Sequence, residues 1–320
     1  MRFPVVLAAL GMLSVSSSQA RELQSSDIFP AEHPNVEAVA YMSQVLNQKT
    51  AGKLSIAVGQ GDLDSELYSV SQLRIGVQDM ARVNVSTLNG FAPSTRVLSL
   101  PYLFRSQDHL RRTADGPIGA EILESLEPFG LVGLCFLDAG PRSLFSVGKP
   151  IRKPADLRGL RIRVQAASVA SPALRALGAS PVGMPLASVP SFLKAGIIDA
   201  STGDWLSPVS TSISGRAIFM NLTEHSRPPG VVIVSRRTWD QLDAVAQESL
   251  REACISARNE LRNVLDERLH EARKVAEEGG MTVIDDVDKA AFEALLTPLY
   301  GSLLGSASLL KLARRIQDER

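Results

Sequence analysis

The chain has only two cysteines in 320 residues, no excess of either charge, and no internal apolar run long enough to cross a membrane. Cys135 and Cys254 form no second pair and no His/Cys cluster at metal-ligand spacing. Each lies in an apolar segment, strand-like around Cys135 and helical around Cys254. Two buried free thiols are therefore expected, with a single disulfide as the alternative in an oxidising compartment. Lysine plus arginine and aspartate plus glutamate balance at 34 each, so neither a nucleic acid nor a membrane surface is indicated as a partner. The glycines of residues 59–66 lack the lysine and Ser/Thr of a phosphate loop and the spacing of a dinucleotide fingerprint, which excludes nucleotide binding. No nucleophile elbow is present, and His33, His109, His225 and His270 are scattered without a local catalytic signature, so no enzyme activity is expected. Internal repeats and low-complexity linkers are also missing.

What is present begins at the N-terminus. Arg2, the apolar residues 5–15 and the small-residue run Ser18, Gln19, Ala20 have the order of a secretory signal, with cleavage expected after Ala20. The remaining chain is long enough for a large core divided into two lobes.

From residue 22 the pattern alternates. A weak strand at 22–27 precedes a helix in which Val36, Val39, Met42 and Leu46 recur at steps of three and four, with Pro34 at its start and Gly52 past its end. Leu54, Ile56 and Val58 alternate as a strand, Ser65 is placed to cap the next helix, and 80–83 reads as a third strand. This cadence predicts parallel strands flanked by helices, with ligands at the strands' carboxyl ends. His33, Glu66 and Asn84 stand at such positions, although His33 suffices as a cap and Glu66 as a helix-start acid. Residues 97–110 read as an apolar strand broken by Pro101, then a helix capped from Ser106. Further strands are expected at 131–138 and 231–235. Ser168 opens a helix, and 180–200 reads strand, helix, strand. A helical region runs from Thr238 to Gly279 with a break near Asp243, and a last strand and two helices follow.

Residues 149–164, KPIRKPADLRGLRIRV, are the centre of this reading. Leu160, Ile162 and Val164 alternate with Arg161 and Arg163, so the strand has an apolar and a basic face. A guanidinium presented there suits a carboxylate, which accepts two parallel hydrogen bonds from it. The competing reading pairs both arginines with local acids such as Asp156. Arg142, after a Gly-Pro turn, is delivered to a sheet edge where it can face Arg163 across a cleft.

The same residues resemble the hallmark segment of the periplasmic solute receptors of tripartite ATP-independent periplasmic (TRAP) transporters, the DctP family. In that family the arginine matching Arg163 binds the ligand carboxylate and the one matching Arg142 supports it. Residues 97–110, VLSLPYLFRSQDHL, resemble the family's LPYLF-type segment, and 222–226, LTEHS, match another; these markers occur in the family's order along nearly the whole mature chain. The resemblance implies an α/β, two-lobed periplasmic solute-binding protein, type II-like, with a long helix crossing both lobes. Lobe I would comprise 21–139 plus about 231–268, and lobe II 140–230 plus about 269–320. It implies a periplasmic receptor that closes on a small organic carboxylate and delivers it to TRAP membrane subunits. A sensor presenting the acid to a membrane protein is the alternative. No cofactor, metal or nucleic acid is implied, the mature chain would not insert in a membrane, and a monomer is expected. Arg163 and Arg142 would hold the carboxylate, with Glu66, Asn84, His33 and Asp204 selecting the remainder.

Among these receptors the chain most resembles the uronate-binding branch, and it departs from that branch at two places. The branch follows Asp-Gly with Ala-Glu-Asn-Asn-Trp, whereas Asp199-Ala200 is followed here by Ser201, Thr202, Gly203, Asp204 and Trp205; Pro229-Gly230 stands for the branch's Pro-Glu. Gly203 has no side chain and an ionised Asp204 only accepts hydrogen bonds. The expectation is an enlarged pocket for a monocarboxylate bulkier or less hydroxylated than a uronate.

Overall fold

A computed structural model describes residues 20–60, 66–165, 169–207 and 219–319. The expected secretory signal ahead of Ala20 and the expected helix starts at Ser65 and Ser168 lie outside the described residues.

The strand and helix alternation of the first 84 residues is present as β1 (Arg21–Asp27), α1 (Pro34–Lys49), β2 (Leu54–Gln60), α2 (Glu66–Ile75) and β3 (Met80–Asn84). Helix α1 starts at Pro34, whose missing N–H costs nothing in a first turn, and buries Val36, Val39, Met42 and Leu46 along one stripe. Thr50 ends it by donating its hydroxyl to Leu46 O at 2.8 Å. Strand β1 runs between β2 and β3 and parallel to both.

The remaining strands are β4 (Leu131–Leu137), β5 (Arg142–Ser146), β6 (Arg161–Val164), β7 (Ser180–Gly183), β8 (Ala200–Gly203), β9 (Phe219–Ser226), β10 (Gly230–Ser235) and β11 (Thr282–Ile284). They form two sheets, β2-β1-β3-β10-β4 and β11-β9-β5-β8-β6-β7. Register places the functional edges. Gly230 pairs with both Asn84 and Leu137, so β10 starts where β3 and β4 end. In the second sheet Arg142 pairs with Ser226, Ser143 with Gly203, and Arg163 with Ser201. The short links from Leu137 to Arg142 and from Ser226 to Gly230 hold these two edges against each other.

The third connection is the long helix Ala244–Glu278, which Asp243 caps by accepting from Ala246 N–H at 2.8 Å. Its first half buries Leu250, Ala253, Ala257, Leu261 and Leu265 in the core of the first sheet with Leu23 and Met42, while Ala276 joins Phe145 and Met220 in the core of the second. Thirty-five residues at 1.5 Å each give about 50 Å, enough to span both.

Two expectations are corrected. Cys135 and Cys254 are not free thiols but a disulfide joining β4 to the long helix, with Cα atoms 6.0 Å apart. The burial that suggested inert thiols arises because these two apolar segments pack on each other, which also brings the sulfurs within bridging distance. Residues 97–110 hold no strand: a 3₁₀ helix, Pro93–Ser99, leads into an irregular turn, and Ser106 caps the helix Gln107–Asp115 by accepting from His109 N–H at 3.1 Å. A short apolar run does not distinguish strand from buried turn. Here Tyr102 adopts a left-handed φ of 56° and anchors the turn, its N–H donating to His225 O at 2.8 Å and its hydroxyl to Thr223 O at 3.0 Å.

Candidate functional site

The edges brought together by the strand registers enclose a cavity lined by residues of both sheets, among them His33, Asn35, Glu66, Arg82, Asn84, Arg142, Arg163, Gln165 and Asp204. Its volume, measured to the centres of water-sized spheres, is about 50 Å³, room for several waters or part of a small ligand. All six candidates from the sequence line it.

Arg163 is 5 % exposed and points from the end of β6 into this space. Its Nε donates to Met184 O at 3.0 Å, which orients the guanidinium and leaves its charge unmatched. Burial and the neighbouring Arg142 push its pKa down to about 9, against a smaller opposing effect of Glu66. Arg142, at the start of β5, donates from Nη2 to Thr202 O at 3.0 Å and to Thr202 Oγ1 at 3.1 Å. Its guanidinium is lowered by burial, with Asp204 and Glu66 only partly compensating. Neither arginine forms an ion pair among the described residues. Two cations held by carbonyls beside one cavity leave positive charge that an anion placed there can balance.

Arg161, two positions before the strand's buried arginine, behaves as the competing reading required, with a different acid. It is exposed and forks onto Asp199, Nη2 to Oδ1 at 2.7 Å and Nε to Oδ2 at 3.0 Å. Asp156 instead accepts from the backbone N–H groups of Arg152 and Lys153. Both arginines lie on one face of β6, and position along the strand, at its exposed start or toward its buried end, separates the surface ion pair from the cavity cation.

On the opposite wall Glu66 opens α2 and is buried. Oε1 accepts from Asn84 N–H at 2.9 Å, Oε2 accepts from the Thr87 hydroxyl, and Gln165 Nε2 donates to Oε2 at 2.5 Å. Burial raises the Glu66 carboxyl above its usual range; Arg82 and these donors pull the other way. Asn84 caps its own turn, Oδ1 accepting from Ser86 N–H at 2.9 Å. His33 caps α1 through Nδ1, which accepts from Asn35 N–H at 3.2 Å, and stacks on Phe29 at a centroid distance of 3.8 Å. Burial, then Arg82 and Arg268, lower it well below the ordinary histidine value, so it stands neutral. Asp204 Oδ1 accepts from Ser207 N–H at 3.0 Å and from its hydroxyl at 2.9 Å.

The sequence reading missed Arg82, Asn35 and Gln165. Arg82 is buried in β3, where Asp27 accepts from its Nε at 2.6 Å and Glu66 lies 3.6 Å from its Nη1. The signal was available: Arg82 is the one charge in the apolar run 80–83 and shares a strand face with Asn84. Asn35 Oδ1 is buried with no hydrogen-bond partner among the described residues, an acceptor facing a polar cavity. His225 lies outside this cavity. With Thr223 it lines a neighbouring, mainly apolar one of about 30 Å³, and burial and then Arg142 push it down to about 3.

The glycines at 203 and 230 do not enlarge the pocket, contrary to expectation. A Cβ on Gly203 would meet Phe145 Cε1 at 2.7 Å and Ser207 Cβ at 3.0 Å; one on Gly230 would meet Arg82 Cδ at 3.2 Å and Asn35 Oδ1 at 3.6 Å. The space is already filled, at Gly230 by two polar side chains of the cavity wall.

Comparison with known proteins agrees with this architecture. The family described as bacterial extracellular solute-binding protein, family 7 (DctP), matches residues 25–305. A TRAP periplasmic solute-binding protein from Bradyrhizobium sp. BTAi1, solved in complex with α/β-D-galacturonate, is 41% identical, with a TM-score of 0.90 over 93% of this chain and 100% of that one. One from Xanthobacter autotrophicus Py2, with bound β-D-galacturonate, is 37% identical, with a TM-score of 0.89 over 93% and 100%. The 2,3-diketo-L-gulonate-binding periplasmic protein YiaO of Escherichia coli is 28% identical over 92% of this chain and 90% of its own. Two lobes bridged by a long helix are thus the shared form, and the chain belongs to the DctP family of bacterial extracellular solute-binding proteins.

Proposed function

We propose that this protein is the periplasmic receptor of a TRAP transporter and that its ligand is a hexuronate, with D-galacturonate the first candidate. The observation that carries the reading is the pair of guanidinium groups of buried Arg163 and half-buried Arg142, unmatched by any carboxylate among the described residues and aimed at one cavity. Arg163 holds the ligand carboxylate in a fork and Arg142 supports it. The facing wall supplies Glu66, Asp204 and the unpartnered Asn35 Oδ1 as acceptors for ring hydroxyls, with Asn84 and His33 completing the contour. A hydroxylated acid suits this lining better than an apolar one, because each buried acceptor needs a donor. The relatives with bound galacturonate support the same class.

Lobe I is assigned to 21–139 plus about 231–268 and lobe II to 140–230 plus about 269–320. In support, every strand falls in the matching sheet except for Gly230 at the start of β10. The final helix also reaches back, since Arg105 donates to Gln317 O and Glu319 O at 2.6 and 2.5 Å. Contacts from both lobes exist only when the cleft is closed, so the ligand favours closure by its differential affinity for that state. The mature receptor acts as a single copy that hands its acid to the membrane subunits.

Isothermal titration of the mature protein with D-galacturonate, D-glucuronate, D-gluconate and neutral D-galactose tests the ligand class. Uronates are expected to bind and galactose not to. Binding confined to a non-uronate acid overturns the hexuronate assignment, and binding of galactose overturns the carboxylate anchor.

A further inference from the structure

Gln165 follows β6 and belongs to the second lobe; Glu66 and Thr87 belong to the first. The Gln165 amide spans the gap, Nε2 donating to Glu66 Oε2 at 2.5 Å and to Thr87 Oγ1 at 2.6 Å. The Thr87 hydroxyl passes its own proton on to Glu66 Oε2, and Asn84 N–H occupies Oε1 at 2.9 Å. Donor and acceptor directions are therefore consistent throughout. The Thr87 and Glu66 oxygens are hydrogen-bonded to each other and lie to one side of Nε2, so one amide proton is shared between them, while Thr87 donates its own and the carboxylate only accepts. All of these atoms are protein atoms, so the bridge closes the cleft with no contribution from a ligand.

We propose that Gln165 is a latch that sets the closure equilibrium of the receptor and, through it, the residence time of the bound acid. The proposal rests on reading the cavity as the acid-binding cleft. Opening the lobes returns the Gln165 amide and the Glu66 carboxylate to water, so the bridge acts on the closed state alone and changes the ratio of the two states. One of its hydrogen bonds ends on a carboxylate, the stronger class, which is worth about 10- to 100-fold in an equilibrium. That strength retains ligand while leaving an empty receptor able to open. Apparent affinity follows the fraction of molecules in the competent state, so the latch acts on binding even where Gln165 makes no contact with the acid.

The test begins without ligand. Spin labels on cysteines introduced at Val77 and Ile197, which are 71% and 45% exposed on the two lobes, report the distance between them. Gln165→Ala is expected to move the ligand-free distribution toward the open form, Thr87→Val to move it less, and Gln165→Glu, which sets a carboxylate against Glu66, to move it furthest. Stopped-flow release of D-galacturonate is expected to be about 10- to 100-fold faster in Gln165→Ala, with the association rate little changed. Thermal melts identify any variant that fails to fold. An unchanged ligand-free distribution in folded Gln165→Ala overturns the latch, even where affinity falls, because a residue that only contacts ligand gives that result. If D-galacturonate does not bind the parent, the uronate reading fails, and the ligand-free distances still decide the latch.

Discussion

Arg82 and Asp27 meet as a bidentate pair at the base of the cavity: Nε donates to Oδ2 at 2.6 Å and Nη2 to Oδ1, with both side chains buried. Burial alone lowers the Arg82 guanidinium, and the charge and hydrogen bonds of Asp27 more than reverse that, with help from Glu66 and Asp204. The pair neutralises one of three cleft arginines and leaves Arg142 and Arg163 for a ligand.

Removing one partner strands the other. Asp27→Ala is expected to destabilise the fold by about 3–5 kcal/mol, because a buried guanidinium loses its counter-ion. Urea unfolding measures this, and Asp27→Leu combined with Arg82→Met should recover much of the loss.

Arg163→Lys keeps the charge and removes the fork. Uronate affinity should fall by about 10- to 100-fold with little change in melting temperature, since a lysine is a point charge that cannot match both carboxylate oxygens. Calorimetric titration read beside a melting curve separates this result from misfolding.

The Cys135–Cys254 bridge closes a loop of 119 residues in sequence. Replacing both cysteines by alanine is expected to cost about 2–4 kcal/mol, chiefly by freeing the unfolded chain. A lower melting temperature in the variant, and in the parent under reductant, checks it; equal melting temperatures would show that the bridge is not stabilising.

His225 is neutral and half-buried, with its protonation displaced to about pH 3. Its folded value is depressed, so its contribution is fully present above the unfolded value near 6.5 and is lost as pH falls from there toward 3, at up to ~1.4 kcal/mol per pH unit. His33 is shifted in the same direction and adds to the loss. Melting temperature measured from pH 8 down to 4 should decline below about 6.5, and His225→Gln should flatten the curve.

Gly203→Ala tests how the cleft floor is packed. The added methyl meets Phe145 Cε1 at 2.7 Å, so a loss of about 1–3 kcal/mol is expected on denaturant titration. A neutral result would restore the idea of free space at this position.

Much of the fold was legible because its signals are local. The stripe of α1, the Pro34 start, the break at Asp243 and the two-residue period that sets Arg161 and Arg163 on one face of β6 opposite Ile162 and Val164 each depend on residues a few positions apart. His33, Glu66 and Asn84 were picked out for a related reason, since strand ends and helix starts mark where an α/β sheet binds, whereas Arg142, Arg163 and Asp204 were picked out by the resemblance of their segments to those of the family.

Contact between distant segments was decided in three dimensions. Cys135 and Cys254 are 119 residues apart, and only the packing of β4 on the long helix makes them partners. Gly203 and Gly230 read in sequence as lost side chains, yet Phe145, Arg82 and Asn35 arrive from elsewhere to fill the space. Gln165 carried no sequence signal, because its role depends on Glu66 and Thr87 lying across a cleft that chain order does not display. Sequence by itself determined most of the elements, since periodicity and capping act within a few residues, and the resemblance of its segments pointed to the family. Which charges are paired, which stay free for a ligand and what joins the lobes was settled by the tertiary structure, because burial and electrostatic pairing depend on distance in space.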